Sequence, residues 1–293
     1  MLILSDFFYQ LDQIPPLFYF SVVLLGLMVG SFLNVVVYRL PKMMFIEWEQ
    51  SARDILENSD SPDTKPERFN LIWPPSTCPT CDNRIKPWCN IPVFSYLFLK
   101  GQCHHCKAPI SARYPIVESI TALISLVVAQ QLGVSMSLLW ALLFSWSLWT
   151  LSLIDYDHKL LPDQITLPLL WLGLLLNLNG TFVPLESAVI GAVAGYLCLW
   201  SVYWAFKLIT GKEGMGYGDF KLLAALGAWM GWEAIPSIIL WSSLVGSVIG
   251  IGMILIVKHN RNHAIPFGPF LAAAGWGYFL WGETMNLNNW LLI

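Results

Sequence analysis

MSLLWALLFSWSLWTLSLIDYDHKLLPD, residues 136–163, decides the fold. Its first nineteen residues, Met136–Ile154, hold no Asp, Glu, Lys, Arg or His, and three carboxylates then arrive within nine positions: Asp155, Asp157 and Asp163. A helix needs roughly 20 mostly apolar residues to cross a bilayer core of about 30 Å. The run therefore reads as a membrane span, and the acids mark its boundary.

The rest of the chain agrees. Of 293 residues, 56% are hydrophobic and 12% charged, with a mean hydropathy of +0.59; a soluble domain carries about 25% charge. Eight candidate spans follow: 17–38, 115–132, 136–154, 164–178, 186–209, 220–231, 235–257 and 266–281. The fourth, sixth and eighth are short, and short spans survive where neighbours bury their ends. The expectation is an all-α polytopic membrane protein of about eight transmembrane helices, in contact with membrane lipid. No nucleic-acid partner is expected at a net charge of −3. Met1–Pro16 lacks Lys and Arg and so lacks the positive region of a cleavable signal peptide.

Charge sets an expected orientation. Ten of the sixteen Lys and Arg lie in residues 39–113; Lys159 follows the third span, Lys207 ends the fifth with Lys212 and Lys221 just beyond it, and Lys258 and Arg261 follow the seventh. By the positive-inside rule that side is cytoplasmic and both termini are outside. Asp155 and Asp219 then share the cytoplasmic face. Arg39 reads as a snorkelling anchor, and Asn34 as an interhelical hydrogen-bonding residue or a polar cavity lining. Glu118 reads as a paired interface acid near Arg113.

Residues 40–113 form the one soluble region, a small cytoplasmic domain between the first and second spans. At this size a staple is expected. Cys78-Pro-Thr-Cys81 and Cys103-His-His-Cys106 are separated by twenty-one residues. Four thiolates so spaced can close a tetrahedral zinc site of purely structural kind; the other reading is a redox-active CxxC. Cys89 and Cys198 read as small apolar fillers. Asn90–Gly101, NIPVFSYLFLKG, suits an element lying on the membrane, the core of the zinc module, or a mixture of both.

A second boundary acid stands in Gly216-Tyr217-Gly218-Asp219. Two carboxylates sharing a proton can hydrolyse a peptide: one activates water, the other polarises the carbonyl. Asp155 ends one helix and Asp219 starts another, so the helix dipoles favour Asp219 as the ionised member and Asp155 as the protonated one. Gly216 and Gly218 read as supporting residues whose backbone can take positive φ or approach a substrate closely. Asp163 reads as a helix cap and Asp157 as solvated or supporting. Gly191-x-x-x-Gly195 and Gly246-x-x-x-Gly250 are helix-packing signals.

Together these stretches resemble the type IV prepilin peptidases, membrane aspartic proteases with a GxGD motif. The matching segments are GSFLNVVVYRLP (30–41), the two CxxC pairs, NIPVFSYLFLKGQC (90–103), RYPIVE (113–118), IDYDHKLLPD (154–163), GMGYGDFKLLAALGAWMG (214–231) and IPFGPFLAAAG (265–275). One departure is Trp88-Cys89-Asn90, where the family often has an aromatic residue and an acid before Asn-Ile-Pro. The resemblance implies a bacterial inner-membrane enzyme that cleaves the basic leader of prepilins and pseudopilins after a Gly. It would then N-methylate the new terminus using S-adenosylmethionine. It places the catalytic pair on Asp155 and Asp219 and zinc on Cys78, Cys81, Cys103 and Cys106. It divides the chain into residues 1–39 (N-terminal segment and first span), 40–113 (zinc domain, associated with methyl transfer) and 114–293 (seven-helix peptidase domain). No Gly-rich strand-turn-helix signature marks the methyl donor's site. Other readings are a peptidase without methyl transfer, a transporter with boundary acids, and a zinc-stapled scaffold without chemistry.

Overall fold

The structure is a computed structural model and describes residues 13–56, 69–256 and 265–285. Met1–Pro16 for the most part, Lys258, Arg261 and the C-terminal tail, used above for orientation, lie outside these residues. The described chain is helical: α1 Pro15–Leu56, α2 Phe94–Phe98, α3 Arg113–Leu132, α4 Met136–His158, α5 Asp163–Asn177, α6 Leu185–Thr210, α7 Tyr217–Met230, α8 Ala234–Ile256 and α9 Gly268–Met285. Each of the eight expected spans is a helix, and α1, α3, α4, α6 and α8 are long and apolar enough to cross a membrane.

The chain forms two compact units, Met1–Leu142 and Leu143–Ile293. In the first, α1 packs along α3. The buried positions Phe18, Val22, Gly26, Gly30, Leu33 and Val37 of α1 recur every three or four residues, one face of a helix. A Cβ on Gly26 would stand 2.7 Å from Ala122 Cα, and one on Gly30 2.7 Å from Glu118 Cα. Small residues here let the backbones meet. At 42 residues, α1 is about 63 Å long, so it continues well beyond the expected span 17–38. Arg39 is no snorkelling anchor. It is buried and donates to Asn70 O at 3.0 Å and Pro74 O at 2.7 Å, tying the loop after residue 68 to α1. Carbonyl acceptors inside the protein have replaced the water that snorkelling would seek.

In the second unit α7 lies at the centre and packs against α5, α6, α8 and α9. Its fourteen residues span only about 21 Å, short of the bilayer core. From Leu222 to Met230 every residue is buried, so neighbouring helices, not lipid, surround it. The close face is glycine on glycine: a Cβ on Gly191 would lie 2.5 Å from Gly227 O, and one on Gly195 2.6 Å from Leu223 O. Gly246 and Gly250 on α8 instead meet the side chains of Phe270 and Ile265. Asn177, at the end of α5, donates to Ala228 O at 2.9 Å and accepts from the N–H groups of Phe182 and Val183, joining two helix ends and a loop. Trp229 Nε1 donates to Leu169 O at 2.8 Å.

Candidate active site

Asp155 occupies the last turn of α4 and Asp219 the first turn of α7, 6% and 7% exposed. They stand near enough for their charges to interact. Leu161 bridges them. A Cβ on Gly218 would lie 2.7 Å from Leu161 Cβ, and one on Gly268 would lie 2.6 Å from Asp155 Oδ2 and 3.2 Å from Leu161 Cδ2. The turn after α4, the start of α7 and the start of α9 thus converge on one leucine.

The two acids are served unequally. The Gly268 N–H donates to Asp155 Oδ2 at 2.9 Å. Asp219 Oδ1 is buried with no hydrogen-bond partner. The donor for Asp155 comes from the N-terminus of a third helix, α9, while the Gly216 backbone N–H acts on the Asp219 carboxylate from the start of its own helix.

Gly216 is extended (φ −83°, ψ 152°) and precedes α7, and Gly218 is absent from the positive-φ glycines among the described residues. What Gly218 supplies is room for Leu161. Asp163 is the first residue of α5 and makes no N-cap; both its carboxylate oxygens accept from Lys221 Nζ at 2.7 Å. Asp157 is exposed. The loop before Asp219 is held by Lys207 Nζ to Glu213 Oε1 at 2.8 Å, and that ammonium holds the Glu213 carboxyl below the usual range. Gly268 and Lys221 were not singled out from the sequence. The only signal for Gly268 was the apolar, proline-flanked IPFGPF before the last span.

In the first unit the sulfurs of Cys78, Cys81, Cys103 and Cys106 all lie within 4.8 Å of one another, with Cys78 Sγ and Cys106 Sγ 3.8 Å apart. Tetrahedral coordination at about 2.3 Å per bond requires sulfurs about 3.8 Å apart, so the set fits such an ion. Two equivalent turns, twenty-five residues apart, make it. Cys78 N–H donates to Asn83 O and Cys103 N–H to Ala108 O, while Asp82 and Lys107 N–H groups return to Cys78 O and Cys103 O. Asp82 and Lys107 both have positive φ. Backbone N–H groups of Thr80 and Cys81 aimed at Cys78 lower its thiol, while burial and the neighbouring cysteines raise that of Cys106.

Glu118 is buried, and its Oε2 accepts the Val93 N–H at 2.7 Å. Val93 has φ 59°, a conformation that costs a β-branched residue about 1–3 kcal/mol and persists only where its surroundings enforce it. Asn34 Nδ2 donates to Tyr114 O at 3.2 Å, the interhelical bond expected of it. The segments 30–34, 90–93 and 113–118 therefore meet.

The described residues thus define a helical membrane protein with two buried aspartates presented by different helices and a cluster of four cysteines that could hold a metal ion. Comparison with known proteins gives the particular family. Residues 24–132 match the bacterial peptidase A24 N-terminal domain and residues 142–251 the type IV leader peptidase family. The chain is 58% identical over 279 residues to a prepilin leader peptidase/N-methyltransferase of Aeromonas salmonicida, covering 94% of this chain and 95% of that one. It is 53% identical to a protein so named from Pseudomonas putida, covering 95% and 96%, and 46% identical to one from Xanthomonas campestris, covering 94% and 95%. The chain belongs to the type IV leader peptidase family. No solved structure matches it.

Proposed function

We propose that this chain removes the leader peptide of type IV prepilins and pseudopilins and N-methylates the residue so exposed, with Asp155 and Asp219 as the catalytic pair. The observation that carries the reading is the convergence of these two buried acids around Leu161 and Gly268. Asp155, furnished with an N–H donor, is the ionised member. It takes a proton from water as the oxygen attacks the scissile carbonyl. Asp219 holds the shared proton and donates it to the carbonyl oxygen. Collapse of the tetrahedral intermediate passes a proton to the leaving amine, and the pair returns to one proton. Hydrolysis needs no further group.

The four cysteines hold a structural zinc ion; with every position filled by thiolate, the metal offers no open site and supplies folding energy. S-adenosylmethionine, the methyl donor, serves the second reaction, which we assign to the zinc domain and its junction with α1. Gly216 and Gly218 support Asp219. The enzyme lies in the bacterial inner membrane, its termini periplasmic, and the aspartates and zinc domain cytoplasmic. The carboxylate site and the zinc domain then face the compartment where leader and methyl donor are found.

The test is cleavage of a prepilin in membranes holding matched amounts of wild type, Asp155→Asn or Asp219→Asn. Each substitution is expected to abolish leader removal while insertion and zinc content are unchanged. Normal cleavage by either variant removes that acid from the mechanism.

A further inference from the structure

The four-cysteine module leaves one edge uncovered by the described residues. No residue of α2 is buried, and Phe94, Leu97 and Phe98 are 52%, 64% and 84% exposed. Trp88 and Ile91 extend the same apolar stretch on its N-terminal side. Lys86 and Lys100 bracket it, with Lys86 Nζ 5.3 Å from the Trp88 ring centroid. A patch of this composition within one short segment is a binding surface rather than scattered surface hydrophobicity.

The height of the patch is fixed by a hydrogen bond. Glu118 lies three residues inside the apolar stretch that begins at residue 115, about 4.5 Å along α3. Helical side chains lean toward the N-terminus, so the Glu118 carboxylate reaches back to the boundary plane, where it accepts the Val93 N–H at 2.7 Å. The next residue begins α2, whose five residues extend only about 7.5 Å. Each headgroup layer is roughly 5–8 Å thick. α2 therefore starts at the boundary plane and reaches no more than about 7.5 Å from it, a distance comparable with the headgroup layer.

We propose that residues 88–98 are an in-plane attachment of the zinc module to the bilayer interface of the same membrane that α1 and α3 cross. Phe94, Leu97 and Phe98 enter the boundary between headgroups and acyl chains, and Lys86 and Lys100 reach lipid phosphates. The inference rests on α1 and α3 as spans and not on the catalytic assignment.

The experiment uses the full chain in vesicles of phosphatidylethanolamine and phosphatidylglycerol, with trifluoromethyl-phenylalanine in place of Phe98. A matched sample carries the same probe in place of Ile55, exposed on α1 and about 26 Å beyond residue 38. Fluorine relaxation is read with a 5-doxyl phospholipid and with an aqueous gadolinium chelate. At Phe98 the lipid quencher is expected to broaden the line several-fold more than at Ile55, and the chelate several-fold less. Equal exposure to the chelate at both positions overturns the proposal, because the edge then faces water. Protection from both quenchers also overturns it, because a protein surface or a second copy then covers the edge. Leader cleavage by the same vesicles separates these outcomes from failure of the enzymatic reading.

Discussion

Asp155 and Asp219 were legible as residues because each announces itself locally, as the first acid after an uncharged run and as the end of a GxGD. Their surroundings were not. The donor to Asp155 comes from Gly268, 113 positions away, and the partner of Asp163 is Lys221, 58 positions away; such pairs leave no spacing to read. Two predictions belong here. Gly268→Ala puts a methyl group against Asp155 Oδ2 and Leu161. Displacing a reacting group by about 1 Å can cost about 10²-fold, so prepilin cleavage should fall by that order while the variant inserts normally; unchanged turnover would show the contact to be idle. The Lys221–Asp163 pair is half exposed and contributes at most about 1 kcal/mol to stability, yet it ties the Leu161 turn to the helix that carries Asp219. Lys221→Met should lower kcat several-fold with KM little changed. The exchange of the two charges, Asp163→Lys with Lys221→Asp, should recover most of it. A raised KM with kcat unchanged, or no recovery on charge exchange, would overturn this positioning role.

At the scale of elements, hydropathy located eight helices, five of them long and apolar enough to cross a membrane, and the shortest of the eight, α7, is short for a reason the sequence only suggested: it is enclosed by protein. The two small-residue motifs show where pattern runs out. They are spelled alike, yet Gly191 and Gly195 receive the backbone of α7, whereas Gly246 and Gly250 receive side chains from the α9 end. Nothing in a GxxxG names its partner. The difference is measurable. Gly227→Ala would drive its methyl into the Gly191 carbonyl, and backbone, unlike a side-chain tip, cannot rotate away. Overpacking of this kind costs typically about 1–3 kcal/mol, so the detergent-solubilised protein should unfold at a clearly lower temperature. Gly252, on the same unit's α8, has open space where its Cβ would be. Gly252→Ala should leave the midpoint unchanged or raise it, since Ala in a helix interior is favoured over Gly by about 0.5–1 kcal/mol. Equal shifts for the two variants would mean that α6 and α7 are not in backbone contact.

For the whole molecule, the chemistry is divided as the contacts are: the four cysteines belong to the first compact unit and the two aspartates, with Gly268 and Lys221, to the second. The resemblance divides the chain at residues 39 and 113; by contacts the compact units are Met1–Leu142 and Leu143–Ile293, and within the first of them α3 packs on α1. A module of two knuckle turns with one isolated bridge each has little core of its own, and the zinc ion proposed for it would then carry its folding. Removing zinc should therefore act on one unit before the other. Cys78→Ser with Cys103→Ser, or prolonged exposure to a strong chelator, should abolish bound zinc and methyl transfer from labelled S-adenosylmethionine. The proposed pair Asp155 and Asp219, whose positioning contacts among the described residues lie in the second unit, should still remove leaders at a measurable rate. Methylation would be assayed on a substrate already stripped of its leader, so that a cleavage defect cannot masquerade as a transfer defect. If cleavage disappears together with zinc while the membrane helices remain folded, the dyad depends on the zinc module and the two activities are not separable by unit. If methylation survives without zinc, the second reaction lies outside the module altogether.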